Sequence, residues 1–335
     1  MKEQDFFALG IGHKTTNKNK QVIDCFFPKP IFSASAEEIK ALSIYSEGTS
    51  EITPSEALKI KQTISPDLFP DALIEADKPL AMVYLKHDGL INSVEEAYLK
   101  LHLLSHRLTL PNTLNLNQLF EHLPTIVWTN FGPIDASEIN DRLVMHRVRS
   151  DHIEVYSVDK FPKMTNYVIP QGVRIADSSR IRLGAFLGEG TTVMHEGFIN
   201  FNAGALGPNM VEGRISQGVI LAEGSDLGGS SSTMGTLSGG GEIRISIGKN
   251  CLVGANAGTG IPLGDRCTIE AGLYITSGMI ISVLDENNKE IKKVKARELA
   301  GNSDMLFIRN SQTGQIVCKT NKEAIELNEA LHKNN

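Results

Sequence analysis

The stretch "MHEGFINFNAG", residues 194 to 204, sets His195 and Glu196 side by side in an apolar run punctuated by glycine. An imidazole and a carboxylate both serve acid-base chemistry near neutral pH, and a carboxylate can also be a nucleophile. No helical pattern surrounds the pair, so a strand or a corner must carry it. Neighbours on a strand point to opposite faces, so at most one of the two meets a given groove. Other chemistry-bearing groups are weaker. His102 and His106 stand at i, i+4 and could share a metal, but no glutamate base or third ligand accompanies them at a recognised spacing, so they read as ordinary helix histidines. Cys25, Cys251, Cys267 and Cys318 contain no CxxC pair, which argues against a zinc site or a disulfide framework and for reduced, buried, small hydrophobes.

The elements that position these groups change character along the 335 residues, a length that suits about two domains. Residues 1–120 read as a mixed α/β domain. "SASAEEIKAL" offers Ser35 and Glu38 as a capping box, and "NSVEEAYLKLHLLSHRL" offers Ser93 and Glu96 ahead of a stripe of Tyr98, Leu101, Leu104 and Leu108, giving two amphipathic helices. "PLAMVYLKHDG" reads as a strand between them, and "LPTIVWTNFGPID" as a strand and loop opening a connecting region, 121–165.

From about residue 166 the helical signals stop and a period of six begins. Ile175, Ile181, Leu187, Val193 and Ile199 fall six apart, and Ala205 and Val211 continue the phase. After slips it resumes at Leu221 and Leu227, at Ile247 and Val253, and at Leu263, Ile269, Ile275 and Ile281. Each hexad supplies a short strand and a turn with the aliphatic residue inward; three hexads close one triangular coil, and coils stack as parallel strands. This predicts a parallel β-helix over 166–285. A cap, 286–335, follows, with "DMLFIRNSQTGQIVCK" as a hairpin about a Thr-Gly turn and "NKEAIELNEALHKN" as a closing helix over the open end. The glycines of "TLSGGGE" are not followed by a helix pattern, which excludes a dinucleotide-binding turn.

The stretch "MHEGFINFNAGALGPNMVEGRISQGVILAEGSDLGGSSSTMGTLSGGGEIRISIGKNCLVGANAGTGIPLGDRCTIEAGLYITSG", with "VKARELAGNSDMLFIRNS" beyond it, resembles the tetrahydrodipicolinate N-succinyltransferase family in its longer-chain form. The likeness is dense over about residues 160 to 310, and N-terminal to that it lies in layout more than in words. It implies that the β-helix is left-handed and that the protein is a homotrimer with sites between subunits. It also implies succinyl transfer from succinyl-coenzyme A to the amine of ring-opened tetrahydrodipicolinate, in the diaminopimelate and lysine pathway. Another hexapeptide acyltransferase using acetyl-coenzyme A, or a β-helix that binds without catalysis, are the alternatives.

Through this resemblance Glu196 matches the family's catalytic glutamate, either attacking the thioester to form an acyl anhydride or accepting the proton of the attacking amine. Near it in sequence, "VEGRIS" brings Gly213, Arg214 and Ser216, with Arg214 suited to grip a carboxylate through two hydrogen bonds. Phe198 is a candidate wall of the acyl pocket. Gly239, in the phase-breaking loop "TLSGGGE", would let backbone approach a ligand closely; Gly254 and Ala255 lack bulk, which suits a narrow pantetheine arm, and Pro262, a further binding candidate, ends the following insertion. Lys292, Lys293 and Lys295 could meet the phosphates of coenzyme A. The family also carries a magnesium ion on the trimer axis, for which Asp159 and Asp177 are the candidate ligands. A formal net charge of -6 argues against nucleic-acid or anionic-membrane partners. "MKEQDFFALG" lacks the layout of a secretory signal and no long apolar run occurs, so a cytoplasmic location is expected.

Overall fold

The computed structural model describes residues 8–33, 40, 42–75, 79–238 and 242–320. The Ser35/Glu38 helix start, Gly239 and the expected closing helix beyond residue 320 lie outside the described residues. The chain forms two compact units, Met1–Val168 and Ile169–Asn335.

In the first unit an antiparallel sheet runs in the order Val22–Phe26, Ala8–Thr16, Leu80–Leu85, Gly48–Ile52. Leu80–Leu85 is buried along its whole length, which explains its unbroken apolar sequence. Helix Pro54–Ile64 starts from a Thr53/Glu56 capping box and lays Ala57 and Ile60 against Leu9, Ile11, Met82 and Tyr84.

Helix Val94–Ser105 differs from the amphipathic element expected of it. Ser93 caps the Glu96 N–H at 3.1 Å, but the Glu96 carboxylate reaches one residue further back, accepting from the Asn92 N–H at 2.9 Å. From Glu95 onward every residue is buried, and Leu108 lies past the helix end and is exposed. Buried Lys100 is tolerable because its three ammonium protons go to Asp88 at 2.7 Å, the Gly89 carbonyl at 2.8 Å and the Asn115 carbonyl at 2.7 Å. His102 is a core residue: its Nε2 accepts from the Phe27 N–H at 3.3 Å, and Nδ1 faces the Tyr98 carbonyl at 2.7 Å, where it must carry the proton. Burial holds its pKa down at about 3. His106 stacks on it at 6.1 Å.

The segment read as a strand and loop folds as a hairpin, Ile126–Thr129 with Gly132–Asp135, and Val155–Asp159 pairs along its other side. Helix Ile139–Val148 follows the hairpin with no buried residue.

The second unit is a parallel β-helix. Its strands stack into three parallel ladders, one per face. The inward hexad residues from Ile181 to Ile281 are fully buried, and only Ile175, on the first strand of its face, is half-buried. Strand partners reveal the coil lengths. Val193 pairs with Val211, three hexads on, whereas Val211 pairs with Leu227, so the four-residue slip shortens that coil to 16 residues. The next coil is lengthened to 26 residues, and within it the Leu237 N–H donates to the Ile243 carbonyl at 2.8 Å.

Beyond the last hexads the chain extends the ladder rather than leaving it bare. Met305–Arg309 pairs in parallel with Thr268–Ile269 and turns back through Gly314, at φ +73°, into the antiparallel strand Ile316–Thr320. Arg266 clasps Asp304 at 2.5 and 2.7 Å, fixing the entry to this hairpin. All four cysteines are free and buried.

Candidate active site

One face of the β-helix carries the ladder Phe198, Arg214, Ser232, Gly258, Tyr274 on its outside, each just before an inward residue: Ile199, Ile215, Thr233, Thr259 and Ile275. Strand alternation therefore turns buried hexads into a column of outward side chains. Two residues before Phe198, at the corner leading onto this face, stands Glu196.

His195 and Glu196 occupy a turn between Thr191–Val193 and Phe198–Ile199, closed by the Gly197 N–H on the Met194 carbonyl at 2.9 Å. They are corner residues, so strand alternation does not separate them; their surroundings do. Glu196 lines an open cleft of about 450 Å³ with Arg180, Phe198, Arg214 and Ser230–Ser232, and His195 is not among the lining residues. His195 instead lies near Asp177.

Several contacts fix the cleft. Arg180 donates to the Glu196 carbonyl at 2.8 Å and to the Gly197 carbonyl at 3.3 Å, which pins the corner backbone. The Ser230 hydroxyl donates to the Glu196 carboxylate. Arg214 donates to Ser232 Oγ at 2.6 Å, and Ser232 Oγ lies 3.3 Å from the Tyr274 hydroxyl. Gly258 makes that reach possible, since a Cβ there would fall 2.3 Å from the Tyr274 ring. Gly213 has a similar role: a Cβ would fall 2.2 Å from Ser231 Oγ, so only glycine admits the serine corner this closely. The Arg182 guanidinium lies 5.9 Å from the Phe198 ring centre. Chemically, the cleft offers a carboxylate, two guanidinium groups, the hydroxyls of Ser230 and Ser232 and an aromatic wall.

The other sequence candidates lie elsewhere. Ser216 donates from its hydroxyl to the Thr233 carbonyl at 2.6 Å. Gly254 supports coil stacking, with the Ala271 backbone N 2.5 Å from where a Cβ would be, while Ala255 and the Pro262 carbonyl receive backbone hydrogen bonds from Gly272 and Gly301. Lys292, Lys293 and Lys295 are exposed on Glu290–Lys295, the edge strand of its sheet. Alternation puts Lys293 and Lys295 on one side and Lys292 on the other, and lysines on an edge strand also discourage strand addition by another chain. Asp159 ends its strand, its carboxylate taking the Lys160 N–H at 2.7 Å and its carbonyl the Trp128 Nε1–H at 3.0 Å. Asp177 caps a short turn. The Ser179 hydroxyl and N–H that it accepts hold its carboxyl below the usual range. Among the described residues no three His, Cys, Asp or Glu side chains gather where they could hold a metal ion.

Arg180, Arg182 and Ser230–Ser232 escaped the sequence reading. The run "LGGSSST" was the available signal, three hydroxyls at a corner of a repeat that otherwise favours apolar and small residues.

Fold and cleft together define a hexapeptide-repeat acyltransferase, and residues 244–277 match the family description "Hexapeptide repeat of succinyl-transferase". Residues 123–163, the hairpin and the exposed helix, match "Tetrahydrodipicolinate N-succinyltransferase middle". The 2,3,4,5-tetrahydropyridine-2,6-dicarboxylate N-succinyltransferase of Pseudomonas paraeruginosa is 53% identical over 99% of both chains, and that of Vibrio cholerae is 51% identical over 98% of this chain and 99% of its own. A Campylobacter jejuni crystal structure titled as a 2,3,4,5-tetrahydropyridine-2-carboxylate N-succinyltransferase superposes with a TM-score of 0.83 at 30% identity, covering 97% of this chain and 95% of that one. The chain belongs to the tetrahydrodipicolinate N-succinyltransferase family.

Proposed function

We propose that this chain transfers the succinyl group of succinyl-coenzyme A to the amine of ring-opened tetrahydrodipicolinate, with Glu196 as the catalytic group. The observation that carries the proposal is the single cleft joining the Glu196 carboxylate to Arg214 and the serine corner. The amine nitrogen attacks the thioester carbonyl, its proton passes to Glu196, and the carbon–sulfur bond breaks to release coenzyme A. Donor and acceptor both carry carboxylates, and Arg214, steadied by Ser232, presents a guanidinium able to bind one in two hydrogen bonds. In the covalent alternative Glu196 attacks the thioester and coenzyme A leaves before the acceptor reacts. A stoichiometric burst of thiol release without acceptor marks that route, and its absence marks proton transfer. The defining experiment follows thiol release from succinyl- and acetyl-coenzyme A with the cyclic imine: a strong preference for the succinyl donor supports the assignment, and equal use of both donors contradicts it.

We extend the reading to a homotrimer in the cytoplasm. Glu196, Arg214 and Ser230 are exposed in one chain, so a neighbouring β-helix would supply the missing wall of the cleft. Val144, Val148, Val155 and Val158 are also exposed, an apolar set suited to a subunit contact. No helix among the described residues is long and apolar enough to cross a membrane. A magnesium ion on the threefold axis would need the same carboxylate from each chain; Asp177 Oδ1 is taken by Ser179, which leaves its other oxygen for that purpose. Lys292, Lys293 and Lys295 are assigned to the phosphates of coenzyme A, and Gly239, Gly254, Ala255 and Pro262 to its pantetheine arm.

A further inference from the structure

We propose that Ser230 is a positioning residue for Glu196, its hydroxyl holding one carboxylate oxygen so that the other faces the reacting amine. This rests on the catalytic reading of Glu196. The two residues are 34 apart in sequence, one short coil and one full coil, and both stand two positions before members of the same outward ladder, Phe198 and Ser232. Ser230 Oγ donates to Glu196 Oε2. A glutamate on an exposed corner has three freely rotating bonds; this contact restrains them at the carboxylate, while Arg180 fixes the backbone that carries them.

The backbone supports the same conclusion. Ser230 has φ +58°, in the left-handed region that a serine rarely adopts. Asn256, its counterpart on the following coil, has φ +54°, and asparagine is the side chain that suits this conformation best after glycine. The corner therefore accepts glycine or asparagine more readily than serine, yet serine occupies it where the hydroxyl meets Glu196. The Ser230 N–H is fixed on the Glu212 carbonyl at 3.1 Å, so the strained corner aims the hydroxyl instead of letting it wander.

The test is steady-state kinetics with succinyl-coenzyme A and the cyclic imine on Ser230→Gly, Ser230→Asn, Glu196→Gln and the Ser230→Gly/Glu196→Gln double variant. Ser230→Gly removes the hydroxyl while easing the backbone, so its thermal midpoint should stay that of the parent; kcat is expected to fall about tenfold with the KM for succinyl-coenzyme A unchanged. Ser230→Asn keeps a donor at a tolerated φ and should recover part of that loss. Adding Ser230→Gly to Glu196→Gln should cost nothing more, because the group to be positioned is already disabled. Full activity in Ser230→Gly alongside an inactive Glu196→Gln overturns the positioning role and leaves the catalytic reading standing. The same tenfold loss in both backgrounds places the effect of Ser230 elsewhere and also overturns it. Full activity in Glu196→Gln removes both readings.

Discussion

Arg214 Nη2 donates to Ser232 Oγ at 2.6 Å, a contact between outward residues of adjacent coils. The serine steadies the guanidinium and leaves most of its five N–H donors for a ligand. Replacing Arg214 with Lys keeps the charge but loses the planar fork. The KM for the succinyl donor or the dicarboxylate acceptor should rise about tenfold or more, with a smaller change in kcat. Unchanged KM values for both substrates would remove Arg214 from binding.

Lys293 and Lys295 project to one side of the edge strand and Lys292 to the other. If one side tracks the coenzyme A phosphates, Lys293→Ala with Lys295→Ala should raise the donor KM several-fold, more at low salt, and Lys292→Ala alone should do much less. Equal effects from both sides would point to a general surface charge, and no effect would leave only edge protection.

The inward hexads make the β-helix stand. Ile269 is fully buried between Val253 and Phe307 on neighbouring coils, and Ile269→Ala should cost about 2–5 kcal/mol, visible as a lowered denaturation midpoint. Ile291, exposed on the lysine strand, is the control, and its alanine variant should stay within about 0.5 kcal/mol of the parent.

His102 makes stability depend on pH. Its pKa is lowered from the ordinary 6.5 to about 3, so the unfolded chain takes up a proton that the folded core refuses. The stabilisation is complete above 6.5 and is lost as pH falls from there towards 3, on the order of 4 kcal/mol in all. Asp24, raised mainly by its own burial, acts in the opposite sense, so the comparison with His102→Gln isolates the histidine. The variant's unfolding free energy should vary less between pH 6.5 and 4 than the parent's; equal slopes would show that His102 is not held neutral.

Hexad spacing made the β-helix legible, because a period of six has one structural meaning when sustained over many repeats. By the same rule the residue before each inward aliphatic is outward, as Phe198 and Arg214 are, but the spacing alone did not place these two side by side. Ser230 could not be placed. Which corners stack depends on coil length, and the shortened coil between Ile199 and Ile215 sets the register that carries Glu196 to Ser230. Helix Val94–Ser105 misled for a different reason: tertiary contacts bury even its lysine and glutamates, which a pattern of polar residues cannot announce. The Lys292–Lys295 run looked like one cluster because composition ignores the alternation of a strand.

The central claim is that the Glu196 carboxylate performs the transfer. Glu196→Gln keeps the shape of the side chain while removing its charge and its capacity to accept a proton or form an anhydride, and an exposed corner residue contributes nothing to the buried interior. Turnover and succinyl-coenzyme A binding should be measured on the same preparation, with His195→Gln as comparator. A loss of at least about 100-fold in turnover with donor binding intact, and a much smaller loss for His195→Gln, is the expected result. Near-normal turnover in Glu196→Gln, or a larger loss in His195→Gln, would assign the chemistry to another group.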